Sequence, residues 1–214
     1  MTTVTEGMPA DRPDQTKGER TRRTVLQAAI DRFARDGYRS TSVADIARDA
    51  GLSSTAAYAY FPNKEALFIA AVDEDAAGHI GEALTTVLEG RWSGDWRELI
   101  ATLLGALDRH PLARRVLAGL EPDFTVRLLG IAALEQLRKG VAELLAAEQT
   151  AGTMRTDIDP VEIAGGLVSI VISLLISLLQ TGAEPAGILG DQVLAVLDAA
   201  LHVPAPDRGP RPPT

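Results

Sequence analysis

The 214-residue chain contains no cysteine. Disulfides, thiolate metal sites and cysteine nucleophiles are therefore excluded. Aromatic residues are scarce, at 4%. Ala and Leu abound while strand-forming runs are sparse, which argues against an all-β protein. Lysine is rare: Lys17, Lys64 and Lys139 are the three, and the other basic residues are arginines. No phosphate-binding glycine loop and no nucleophile elbow occur. The histidines His79, His110 and His202 lie too far apart to share a metal-ligand spacing. No cofactor and no metal is expected, and an enzyme is disfavoured. The N-terminal MTTVTEGMPADRPDQT lacks an apolar run after positive charge, so no signal peptide is expected. The expected location is cytoplasmic.

The net charge of −8 hides an asymmetry. Residues 17–64 hold nine Lys/Arg against five Asp/Glu, whereas residues 65–214 hold eleven against twenty-one. A basic block followed by an acidic remainder predicts two modules, the first facing an anion. Residues 1–16 and the proline-rich 204–214 are expected to be disordered tails.

Between the tails the pattern is helical. Val25, Leu26, Ala29, Ile30, Phe33 and Ala34 share one helical face from about Lys17 to Asp36, with Gly37 as a stop. Val43, Ile46, Ala47 and Ala50 form a second, short face. Ser42 precedes it as N-cap with Asp45 three residues on, and Gly51 ends it. Ser53 can cap a third helix, about Ser54 to Tyr60, and Asn63 a fourth beginning at Lys64. Helices this short are unstable alone. Packed together with a glycine turn between them, they predict helix-turn-helix.

The stretch DGYRSTSVADIARDAGLSSTAAYAYFPNKEALFIAAV resembles the N-terminal domain of the tetracycline-repressor (TetR) family of bacterial transcription regulators. The matching residues are Phe33, Gly37-Tyr38, Thr41-Ser42-Val43, Asp45-Ile46-Ala47, Ala50-Gly51-Leu52-Ser53, Tyr58, Tyr60-Phe61 and Asn63-Lys64-Glu65-Ala66-Leu67. The resemblance covers about residues 20–70. It implies that Ser54, Thr55 and Ala56 lie nearest base edges in the major groove. It also implies that Thr41, Ser42, Tyr58, Tyr60 and Lys64 meet phosphates, which fix register and carry little sequence information. Many relatives have Lys-Gly where this chain has Ser54-Thr55, so its reading helix carries no Lys or Arg. Tyr58, Tyr60 and Phe61 have an alternative as core aromatics, and Ser42 and Ser53 as caps alone.

Further helices are expected at about 95–109, 111–120, 121–150, 156–181 and 185–202. The resemblance implies a small-molecule effector held among the middle ones, with Leu103, Leu107, His110, Leu117, Phe124 and Leu128 as candidate lining; plain core is the alternative. Ile163 to Ala183 carries no charge, long enough to span a bilayer. Its acidic flanks and lack of Trp or Tyr anchors contradict that reading, so no membrane partner is expected. Gly165, Ser169, Ser173 and Ser177 recur every four residues, one ridge that lets a second helix approach. With Val193 and Leu197 they are the expected homodimer interface, the alternative being contacts within one subunit.

The expected fold is all-α: a three-helix helix-turn-helix DNA-binding domain at 17–64, then a helical ligand-binding and dimerisation domain at 65–203. The expected function is a regulator, by default a repressor, that binds a near-palindromic double-stranded DNA operator as a homodimer. A largely hydrophobic small molecule would release it. The competing classes are a helical enzyme and a helical adaptor; salt-dependent duplex binding separates both from a regulator.

Overall fold

The computed structural model describes residues 16–88, 96–124, 129–181, 192–193, 195–197 and 199. Helices α1 (Lys17–Ser40), α2 (Val43–Asp49), α3 (Ser54–Tyr58) and α4 (Lys64–Leu88) come first. Then follow α5 (Trp96–Ala106), α6 (Pro111–Leu117), α7 (Ala132–Ala151) and α8 (Pro160–Thr181), with 3₁₀ turns at Leu107–Arg109 and Pro122–Phe124. The described residues contain no strand, as the composition predicts.

Local signals account for the first four helices. Thr16 and Glu19 form a reciprocal capping box at the start of α1. Ser42 accepts from the Asp45 N–H, Ser53 from the Ala56 N–H and Asn63 from the Ala66 N–H, so each expected cap is in place. Gly51 has φ +69° in the turn between α2 and α3, a conformation costly for any residue with a Cβ. Gly37 is more than a stop. It breaks the helical path at φ +80°, but the chain then makes another turn to Ser40.

Val25, Leu26, Ala29, Ile30 and Phe33 of α1 pack on Val43, Ile46 and Ala47 of α2, Ala57 of α3, and Leu67, Phe68, Ala71 and Val72 of α4. The same cluster includes Leu112, Phe124, Ile131 and Ala133. The core of the head thus runs on into the body, across the expected boundary at 64.

α4 carries two carboxylates that cap other helices. Asp73 accepts the Ala133 N–H at 2.8 Å, at the start of α7. Asp75, 6% exposed, accepts the Leu112 and Ala113 N–H groups at 2.9 and 2.8 Å, at the start of α6. These are the N2 and N3 positions behind Pro111, where a capping oxygen is placed.

The single helix expected at 121–150 is not formed. Pro122–Phe124 is a 3₁₀ turn, and α7 starts only at Ala132, after Ile131 in an extended conformation. The leucine periodicity belongs to α7 alone. α8 packs on α7 through Ala142, Leu145, Met154, Ala164 and Leu167, and on α5 through Ile100, Leu103, Leu174 and Leu175. Most of the helix expected at 185–202, and both tails apart from Thr16, lie outside the described residues.

Candidate nucleic-acid interface

α3 presents Ser54 and Thr55 to solvent, with Ala56 half-buried and Ala57 buried in the head core. Tyr58 and Tyr60 are exposed while Phe61 is buried, so the core alternative holds for Phe61 and not for the two tyrosines. Ser42 is exposed beside this face, its hydroxyl donating to Asp45 at 2.6 Å. That hydroxyl, followed by the Arg48 guanidinium, holds the Asp45 carboxyl below the usual carboxylate range.

Two of the expected phosphate contacts are placed differently. Thr41 is 3% exposed, and its hydroxyl donates to the Gly37 carbonyl at 2.8 Å. It closes the end of α1 and faces no solvent, which corrects the phosphate reading of Thr41. Lys64 is half-buried, its ammonium 3.5 Å from the Arg39 carbonyl and 4.3 Å from the centre of the Tyr38 ring. Burial lowers its pKa below the ordinary lysine value. The lysine is thus oriented by α1, with part of its surface left to solvent.

Much of the positive block is neutralised within the head. Arg32 pairs with Asp36 and Asp49, Arg35 with Asp36, and Arg48 with Asp45. The N-terminal turns of α1 expose Lys17, Arg20, Arg22 and Arg23; Arg22 also stacks 5.3 Å over the Phe61 ring.

Among the described residues, those named for an effector fall in different packing environments. Leu103 packs on α8, and Leu107 is fully buried. Phe124 lies in the head core, 4.5 Å from the Tyr38 ring and 4.7 Å from Phe68, which corrects its assignment. Leu117 is half-buried, and Leu128 lies outside the described residues. His110 faces a polar groove of about 440 Å³ together with Asp75, Asp108 and Arg109. Its Nδ1 is 3.1 Å from Asp75 and its Nε2 3.2 Å from Glu82. Arg109 also binds Glu82 and, as the largest cause, lowers that carboxyl's pKa to about 2.

The histidines 79 and 110, distant in sequence, are neighbours in space with ring centres 5.8 Å apart. His79 donates to the Leu103 carbonyl at 2.8 Å, and burial lowers its pKa. This pairing was invisible to spacing rules. Among the described residues no group of three His, Asp or Glu has metal-binding geometry.

On α8 the ridge is only partly covered by the described residues of the chain. Ser169 and Ser173 are exposed, Gly165 and Ser177 half-buried, and a Cβ on Gly165 would meet nothing within 4 Å. The Ser169 and Ser173 hydroxyls bond back to the carbonyls four residues earlier. Only 28% of the most apolar stretch of this helix is buried within the chain. Leu197 differs from expectation: it is 2% exposed, packed with Val193 on the α7–α8 cluster of the same chain. It cannot also face a partner.

A family model described as "Bacterial regulatory proteins, tetR family" matches residues 25–71. The chain is 27% identical over 199 residues to the HTH-type transcriptional regulator YdgC of Bacillus subtilis, covering 86% of this chain and 93% of that protein. It is 28% identical over 194 residues to the HTH-type transcriptional repressor AcnR of Corynebacterium glutamicum, covering 87% and 95%. Its fold is similar to that of Thermus thermophilus FadR, a TetR family transcriptional repressor in complex with lauroyl-CoA. That match has a TM-score of 0.60 and 23% identity, over 88% of this chain and 100% of that one.

Proposed function

We propose that the chain is a ligand-responsive repressor of the TetR family of bacterial transcription regulators, whose members are not enzymes. It binds a near-palindromic operator as a homodimer in the cytoplasm and is released by a small, largely hydrophobic molecule. The observation that carries the DNA reading is α3. It is capped by Ser53 and seated on the core through Ala57, and it offers Ser54, Thr55 and Tyr58 to solvent. Ser54, Thr55 and Ala56 read base edges; Ser42, Tyr58, Tyr60 and Lys64 meet phosphates. The repressor sign is supported by the name of the Corynebacterium relative, and an effector with an apolar portion by the lauroyl chain in the FadR complex.

The homodimer is supported by the exposed apolar face of α8, where Gly165, Ser169, Ser173 and Ser177 allow close approach. Two heads on a two-fold axis then meet successive major grooves about 34–36 Å apart. An effector releases the operator only by preferring the conformation that DNA does not.

Selection from a random-sequence duplex pool, followed by titration at several salt concentrations, tests the reading. A two-fold symmetric motif and a steep salt slope are expected. Thr55→Ala should relax one position in each half-site and leave the slope unchanged. Recovery of no preferred duplex would refute the DNA assignment.

A further inference from the structure

In an unbroken α1 the Tyr38 N–H would donate to the carbonyl of Ala34, four residues earlier. At Gly37 that bond is severed, and both of its halves are taken by one ion pair from outside the helix. The Tyr38 N–H donates to Glu121 Oε1 at 3.0 Å. The Ala34 carbonyl accepts from the Arg115 guanidinium at 3.4 Å. Arg115 and Glu121 join each other at 2.7 Å. Glu121 is buried and Arg115 largely so. Gly37 makes room, because a Cβ there would stand 2.5 Å from Arg115 Nη2 and 3.0 Å from Glu121 Oε1.

The pair does not belong to the head. Arg115 is on α6, and Glu121 follows it just before the 3₁₀ turn. The N-terminus of α6 is held by Asp75 of α4, and the Leu117 carbonyl at its other end accepts from Gln180 of α8 at 3.5 Å. Beyond the break, α1 runs through Ser40 and Thr41 directly into α2. A segment anchored to α4 and α8 therefore supplies the groups that keep α1 bent above the helix-turn-helix.

We propose that Arg115 and Glu121 are positioning residues for DNA binding, occupying the severed hydrogen bond of α1 and so setting the angle of α2 and α3 against the body. The proposal rests on the regulator reading above. Two arrangements of α1 satisfy the same backbone groups. Bent, Tyr38 and Ala34 bond the ion pair; straight, they bond each other. Withdrawal of α6 removes the pair and favours the straight form, which carries the two reading heads of a dimer out of register.

The test compares the full chain with Arg115→Met/Glu121→Leu, which removes both charges at similar volume and leaves neither buried alone. Each is titrated with the duplex the parent selects from a random pool and with an unrelated duplex, and melted alongside. The double variant is expected to unfold cooperatively. It should lose about tenfold or more in affinity for the selected duplex, within the usual range of coupling between sites. The unrelated duplex should be bound as before, since exposed cations bind it without head register.

Gly37→Ala, which favours the straight helix and evicts Arg115, should give the same loss of preference. It is the deciding variant if the double one does not fold. A selected-to-unrelated affinity ratio equal to the parent's, in whichever variant folds, overturns the proposal. A parent that prefers no duplex fails the regulator reading instead, before any variant is compared.

Discussion

Replacing Asp75 by Ala should destabilise the chain more than its distance from any DNA contact suggests. The carboxylate, 6% exposed on α4, accepts the Leu112 and Ala113 N–H groups of α6 and faces His110 Nδ1 at 3.1 Å. Leu112 is fully buried and Ala113 nearly so, so water has little access to either N–H once the carboxylate is gone. A buried donor left without a partner costs about 1–3 kcal/mol. Two of them, less whatever a trapped water recovers, give about 3 kcal/mol. That is a large fraction of the ~5–15 kcal/mol that holds a typical domain together. In a chain of this size it lowers the melting temperature by about 6–12 °C.

Both N–H groups share Oδ2, so Asp75→Asn with its amide oxygen in that place keeps both bonds and should lose clearly less than Asp75→Ala. Urea unfolding followed by far-ultraviolet circular dichroism measures both, with an unchanged m-value certifying the same native compactness. A loss under about 1 kcal/mol for Asp75→Ala would mean that α6 does not depend on this cap.

Two other perturbations have definite outcomes. The Glu82 carboxyl, held by Arg109 and then His110, titrates at about 2 against an ordinary 4.5, so its stabilising effect is complete above about 4.5 and lost as pH falls toward 2. Glu82→Gln should flatten the fall of the urea midpoint across that window; an unchanged pH profile would refute the pairing. Ser173→Leu adds bulk to the exposed ridge of α8 at a cost of about 1–3 kcal/mol per site, doubled in a two-fold dimer. Sedimentation should show a weaker dimer, and a variant as dimeric as its parent would place the interface elsewhere.

The head was legible because its signals are local. Ser42, Ser53 and Asn63 each cap a helix from within three residues, and Gly51 marks its own turn. Apolar spacing identified every buried residue of α1 except Gly37, and missed Ala28 and Tyr38, which are partly buried against the same core. What stayed hidden depends on partners far along the chain. Nothing in their own stretch of sequence singles out Asp73 and Asp75, which cap helices 60 and 37 residues or more away. For Thr41 the resemblance implies a phosphate contact, whereas its hydroxyl is taken by the Gly37 carbonyl at the bend of α1. Phe124 and Leu197 have the same apolar character wherever they point. Only packing shows that one joins the head core and the other its own α7–α8 cluster. The helix expected at 121–150 drew its periodicity from residues of α7 alone; upstream of them the backbone turns at Pro122–Phe124, and α7 begins only after Ile131.

The chemistry of α3 explains why head geometry should matter so much here. A bidentate Arg or Lys contact to guanine discriminates by about 1–3 kcal/mol per base pair. α3 has no such side chain, only the hydroxyls of Ser54 and Thr55 and the phenol of Tyr58. Much of the remaining positive charge is tied up, in Arg32, Arg35, Arg39 and Arg48, by carboxylates of the chain itself. In the proposed dimer each head would then be a weak reader, and tight binding would require both heads to engage at once. For two weak sites on a rigid frame the gain from simultaneous engagement vanishes when the geometry forbids it. Under the proposal above, a change of angle at Gly37 carries α2 and α3 with it and so alters that geometry. A head built this way needs no large motion for release, and the Arg115–Glu121 pair sits where a small motion of α6 would be felt.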